Sequence, residues 1–140
     1  MRRTDFITSI QGTSAVEFAL LAPIFILMIM GMIAYGIYFG ASHSIQQIAA
    51  DTARTALAGL NEAERRSLAL DFVNRHAGAY PFVDGDQVTL AVADNPNDSS
   101  QFVVLVAYDA RGLPIWNLLP AAALPDVTIV RRSTIRVGGL

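Results

Sequence analysis

The sequence predicts an α+β protein: a long N-terminal helix, a short second helix and a small three-stranded antiparallel sheet. Three observations predict it. Charged residues make up only 16% of the 140 residues, against about 25% in an average soluble domain. The deficit is concentrated, since the 33 residues between Glu17 and Asp51 include no Asp, Glu, Lys or Arg. From Ile45 apolar or small residues recur at steps of three and four as far as Leu60, and after Pro81 the period changes to two.

The apolar run from Phe18 to Gly40, at about 1.5 Å of rise per residue, reaches roughly 34 Å and can cross a hydrocarbon core of about 30 Å. The remaining chain is too small to surround such a helix as a core. Arg2 and Arg3 precede the run, and only Arg54 follows it closely. The positive-inside rule then puts the N-terminus in the cytoplasm and the bulk of the chain outside the inner membrane, in the periplasm of a Gram-negative cell.

Past the run, Ile45, Ile48, Ala49, Thr52, Ala53, Ala56, Leu57 and Leu60 form one stripe of a helix, with Gln46, Gln47, Asp51, Arg54 and Thr55 opposite. The spacing predicts a nearly continuous helix from about Ser14 to Ala58, lipid-embedded in its first half and amphipathic in its second, with Gly59 as its stop. Asn61 caps a second helix, with Glu62 and Glu64 in its first turn, an apolar face of Leu68, Phe72 and Val73, and Gly78 as its end.

Residues 87–93 alternate, with Val88, Leu90 and Val92 on one face. Phe102 to Tyr108 is apolar on both faces, as a central strand would be. Val127 to Val137 is a third strand, with Val127, Ile129, Ile135 and Val137 on one side. The turn chemistry of residues 95–100 makes a hairpin of the first two strands. Packing this sheet on the helical stem is the simplest closure. The organisation is a leader (1–12), a transmembrane helix (13–41), an extracytoplasmic stem with the second helix (42–80) and a small β domain (81–140).

Composition excludes several functions. With no cysteine, disulfides, thiolate metal sites and thiol nucleophiles are absent. The two histidines, His43 and His76, are far apart. A net charge of −2, with no strongly basic segment, argues against nucleic acid. No Ser/His/Asp set, phosphate loop or cofactor motif is present, and a small β domain without disulfides relies on its stem or on neighbouring subunits.

The informative junction is Gly12-Thr13-Ser14-Ala15-Val16-Glu17-Phe18. A carboxylate directly before an apolar span costs several kcal/mol if it enters the bilayer. Alone, it reads equally as a headgroup-level residue. Its company is a short basic leader, a glycine, and the glutamate five residues after it. This arrangement resembles the class III signal of type IV pilin-like proteins. More closely, Gly12, Ala15, Val16-Glu17-Phe18-Ala19, Pro23 and Gly31 resemble the TadE-like family of Flp (tight-adherence) pilus proteins. The Pro-containing loop of residues 113–120 and the arginine-bearing last strand are similar to the family more loosely. The alanine-rich stretch from Pro120 to Pro125 departs from the pattern.

The resemblance implies a non-enzymatic minor pilin or pseudopilin that supports pilus assembly and surface adhesion. A separate prepilin peptidase would cut between Gly12 and Thr13. Glu17 would offset the terminal amine of a neighbouring subunit entering the assembly, neutralising two charges that lipid penalises. The implied partners are membrane lipid, the peptidase and other pilus subunits, in a hetero-oligomer formed through the N-terminal helix.

Other features carry two readings each. Pro23 removes a backbone hydrogen bond and either loosens the helix or is simply tolerated. Gly36 and Gly40 have GxxxG spacing, which allows close helix packing but is common in spans. Tyr35, Tyr38 and Phe39 form an interfacial aromatic belt. Asp84 and Asp86 read as a turn rather than a cation loop. Leu113, Ile115, Trp116, Leu118 and Leu119 are either a partner loop or local core. The alternative function is a secreted or membrane-anchored extracytoplasmic binding domain unrelated to pili; the length of the apolar run and its unbroken stem oppose an ordinary signal peptide.

Overall fold

A computed structural model describes residues 10–137. Helix α1 runs unbroken from Ile10–Ala56, 47 residues or about 70 Å, continuing through Pro23 without a break. It starts four residues before the predicted Ser14. It ends two before the predicted Ala58, in a turn where the Gly59 amide donates to the Ala56 carbonyl (3.0 Å). Gly59 is required there by close approach. A Cβ on it would lie 2.5 Å from the Arg65 amide nitrogen, because the chain reverses onto the first turn of the next helix.

Helix α2 spans Glu62–His76. The Glu64 amide donates to Asn61 Oδ1 (2.9 Å), and the Leu60 amide donates to Glu64 Oε2 (2.8 Å), a reciprocal cap that satisfies orphan donors. Its buried residues are Arg65, Ala69 and Val73; Leu68 and Phe72 are only partly buried. Arg65 was not on the predicted face. Its guanidinium donates to Asp94 Oδ1 (3.0 Å) and lies 5.5 Å from the Phe102 ring centroid, clamping α2 to the sheet.

Strands β1 (Val88–Asn95), β2 (Asp98–Asp109) and β3 (Thr128–Arg136) form one antiparallel sheet in the order β1-β2-β3. The first two make the predicted hairpin, with Val92 opposite Val104 and a bulge at Asp94/Asn95. The sheet's inner face is Val92, Phe102, Val104, Val106, Tyr108 and Ile129, all buried. The opposite face of β2 is covered by nothing: Val103 and Ala107 are half-buried and Leu105 is exposed. Strand β3 turns Arg131 and Ser133 inward with Ile129, Ile135 and Val137, while Val127 precedes the strand and is exposed.

The core lies between this inner face and the second half of α1. Ala41, Ile45, Ile48, Ala49, Thr52, Ala53 and Ala56 are each 0% exposed, as the predicted stripe requires. The stripe's last two members, Leu57 and Leu60, are exposed, because the helix ends before they could join it. The first half of α1 is bare: large apolar residues from Val16 to Ile33 project on every side.

Candidate functional site

The residues of the N-terminal junction sit in the first turns of α1. Most of the leader, residues 1–9, lies outside the described residues. The Gly12–Thr13 bond falls inside the helix, near the start of its described length. Glycine there lowers helix stability by about 1 kcal/mol relative to alanine. Glu17 follows on an exposed face, and among the described residues none pairs with its carboxylate. Most positions from Phe18 to Ile33 are exposed, with Phe18, Leu20, Ile24 and Met32 each more than 60% exposed. This helix is long and apolar enough to cross a membrane, its most apolar 18-residue stretch having a mean hydropathy of 2.4.

The two glycines of the GxxxG spacing have different surroundings. A Cβ on Gly36 would meet open space, whereas one on Gly40 would lie 2.8 Å from Phe82 Cδ2. Phe82 is held over Gly40 by the turn after Tyr80, in which the Val83 amide donates to the Tyr80 carbonyl (3.3 Å). Phe82 itself has a φ of 60°, a left-handed conformation that costs a side-chain-bearing residue about 1–2 kcal/mol. Sequence pattern did not point to Phe82; a Pro-Phe step where glycine would relieve the turn was the available signal.

Residues 113–124 fold down along α1. Leu113 and Ile115 are buried, and Trp116, Leu118 and Leu119 are half-buried. Trp116 Nε1 donates to the Ala110 carbonyl (2.9 Å). Leu119 Cδ2 would be 3.6 Å from a Cβ on Gly31, and Tyr35 Oη donates to the Ala123 carbonyl (2.9 Å). The five apolar loop residues are thus not free: two are inside the core and three are half-buried against it, with Leu119 also reaching α1 at Gly31. Higher on α1, Arg131 donates to Ser42 Oγ, and Ser44 Oγ donates to the Pro81 carbonyl (2.8 Å).

Chemistry-bearing residues do not converge. A cleft of about 530 Å³ is lined by Asp51, Arg54, Thr55, Phe72, His76, Ala79, Tyr80 and Pro81. Its polar groups already serve one another. Asp51 accepts from Arg54 (2.8 Å) and Tyr80 (2.8 Å), and His76 stacks on Phe72 at 4.8 Å. Burial and the Asp51 hydrogen bond push the Tyr80 phenol up to about 12. His43 lies beside Gln47 (3.2 Å). Asp84 caps a single turn entering β1, accepting from the Asp86 amide (3.1 Å). Among the described residues no group of three or more His, Asp and Glu could hold a metal ion.

The feature that distinguishes the molecule is therefore the N-terminal helix with its acidic entry and bare apolar length. Residues 12–54 match the model of the TadE-like protein family. This segment is TadE-like. The match begins at Gly12, takes in Glu17, Pro23 and both glycines, and ends in the stem at Arg54. The match covers the apolar helix and the start of its stem, and residues 55–140 lie outside it. No curated protein and no solved structure matches the chain.

Proposed function

We propose that this TadE-like chain is a minor pilin or pseudopilin that supports assembly of a tight-adherence pilus used in surface attachment. Helix α1 anchors it in the cytoplasmic membrane with the N-terminus inside and the sheet domain outside. A separate prepilin peptidase removes residues 1–12, leaving Thr13 as the mature terminus, and the chain then associates with other pilus subunits through α1. It performs no catalysis itself.

The observation that carries this reading is the carboxylate of Glu17, exposed and unpaired among the described residues, at the foot of a helix whose first half is apolar. An unpaired anion at that position is disfavoured by lipid and is relieved by a cation brought by another chain. The amine created by cleavage at Thr13 is such a cation.

Glu17→Gln tests it. Insertion is unaffected or improved, because a charge is removed, and cleavage continues five residues away. Piliation and adhesion fall at equal protein level. Normal piliation with a confirmed Thr13 terminus would remove the assembly role of Glu17. Intact-mass analysis of the extracted protein checks the processing step: loss of residues 1–12 is expected, and Gly12→Ala reduces it.

A further inference from the structure

We propose that the loop between β2 and β3 is a second membrane contact, seating its tip, Leu118 to Leu124, in the lipid leaflet at the C-terminal end of the span. The inference rests on the reading of α1 as a membrane anchor and adds a surface to it. Three observations carry it.

The first is height. If Phe18, directly after Glu17, marks one edge of the hydrocarbon core, about 20 residues of helix reach the other edge, near Ile37. The loop touches α1 below that level, with Leu119 against Gly31 and Ala123 hydrogen-bonded to Tyr35. Six residues separate Gly31 from Ile37, a depth of about 9 Å. Interfacial elements enter the boundary between headgroups and acyl chains by about 5–10 Å. The loop therefore cannot stand clear of the bilayer while α1 spans it.

The second is composition. From Gly112 to Pro125 the chain has 14 residues and no charge, although Arg111 and Asp126 flank it directly. Ala121–Ala123 form one 3-10 turn whose side chains are exposed, and the Ala123 and Leu124 amides donate to the Pro120 and Ala121 carbonyls. The tip thus presents small apolar groups while turn bonds satisfy part of its backbone, as a low-dielectric setting requires.

The third is the neighbouring chemistry. Tyr35 and Phe39 are exposed beside the loop, with ring centroids 5.8 Å apart, and aromatic rings of this kind collect at the membrane–water boundary. The inward-facing Arg131 donates to Ser42 on α1, about 16 Å above the Gly31 level, and lies near enough to Tyr38 to act on its phenol. Charge and loop are segregated along the helix as water and lipid would require.

The absence of cysteine makes the test direct. Nitroxide labels are placed singly at Ala122→Cys, Leu20→Cys and Thr134→Cys in the full chain, reconstituted in phosphatidylcholine–phosphatidylglycerol vesicles. Collision with dissolved oxygen is compared with collision with an aqueous nickel chelate. The expected result is oxygen preference at Leu20, a smaller oxygen preference at Ala122, and nickel preference at Thr134 on the outer face of the sheet. Further dilution of the protein in lipid leaves the Ala122 value unchanged. Nickel preference at Ala122 with oxygen preference at Leu20 overturns the loop contact and spares the anchor. Nickel preference at both overturns the anchor and the loop together. Protection at Ala122 that disappears on dilution shows that another protein copy, not lipid, covers the loop, and overturns the proposal.

Discussion

Thr52 sits in the most buried stretch of α1, yet its hydroxyl has no hydrogen-bond partner among the described residues. A buried, unpaired hydroxyl costs about 1–3 kcal/mol. Thr52→Val keeps the shape and removes that cost, so it should stabilise the full chain by about 1 kcal/mol, read as a raised midpoint in thermal unfolding of the detergent-solubilised protein. An unchanged or lowered midpoint would mean that the hydroxyl is satisfied. The two spaced glycines differ in the same concrete way. Gly36→Ala meets open space and Gly40→Ala meets the Phe82 ring, so only the second should lower the unfolding midpoint. If Gly36→Ala then weakens association of the chain with its assembly partners, Gly36 marks the packing face. Equal loss of midpoint in both variants would contradict the asymmetry. At this scale the sequence is least legible. GxxxG spacing reads as one motif, and nothing local reveals that a residue 42 positions on covers half of it. Arg65 was likewise unreadable, because its partners Asp94 and Phe102 come from other elements. Glu17 draws notice without any tertiary knowledge because it is a lone charge at the edge of a long apolar run.

Elements announced themselves through periodicity wherever one face alone is buried. The stripe from Ile45 to Ala56 and the alternation of β1 are of this kind. The pattern overreached at Leu57 and Leu60, since a stripe does not say where the helix stops facing its partner. It also overreached in β2, whose apolar outer face suggested a two-sided strand but is left uncovered. The junction between α1 and α2 is held by Tyr80, which donates to Asp51 across 29 positions of sequence. An unfolded tyrosine titrates near 10, and burial with the Asp51 contact moves the folded group to about 12. A raised folded value means that its stabilisation is complete below pH 10 and is lost as pH climbs through 12. Tyr80→Phe removes the hydrogen bond, costing about 1 kcal/mol at neutral pH, and should flatten this part of the alkaline decline. Unfolding midpoints of both proteins between pH 9 and pH 12 check it. Parallel declines would show that Tyr80 does not titrate with folding.

At the scale of the whole molecule, the sheet and α1 are one folding unit, although the helix continues far beyond the sheet into lipid. Seven residues of α1 between Ala41 and Ala56 are fully buried against the sheet and α2, and they supply most of one wall of the core. A three-stranded sheet with one helix and no disulfide has too little apolar area to offset its ordering entropy. Removing that wall also strips the inner faces of Phe102, Val104 and Val106, which would then stand in water. A fragment of residues 61–140, which keeps α2 and every strand, should therefore lack cooperative unfolding. Residues 31–140 retain the stem, the Gly31–Leu119 contact and the Tyr35–Ala123 hydrogen bond, and should unfold cooperatively in mild detergent. Near-ultraviolet circular dichroism through the single tryptophan, Trp116, reports the packing of each fragment. Trp116 is well placed for this, since its indole bonds to the Ala110 carbonyl and its loop lies along α1. A cooperative transition with fixed Trp116 signal in residues 61–140 would show that the sheet stands by itself. α1 would then be only a tether. Loss of that signal in the shorter fragment, with its retention in the longer one, makes the apolar helix and the sheet core a single object. A pull or rotation applied to α1 within an assembly would then reach the sheet directly, without passing through a flexible linker.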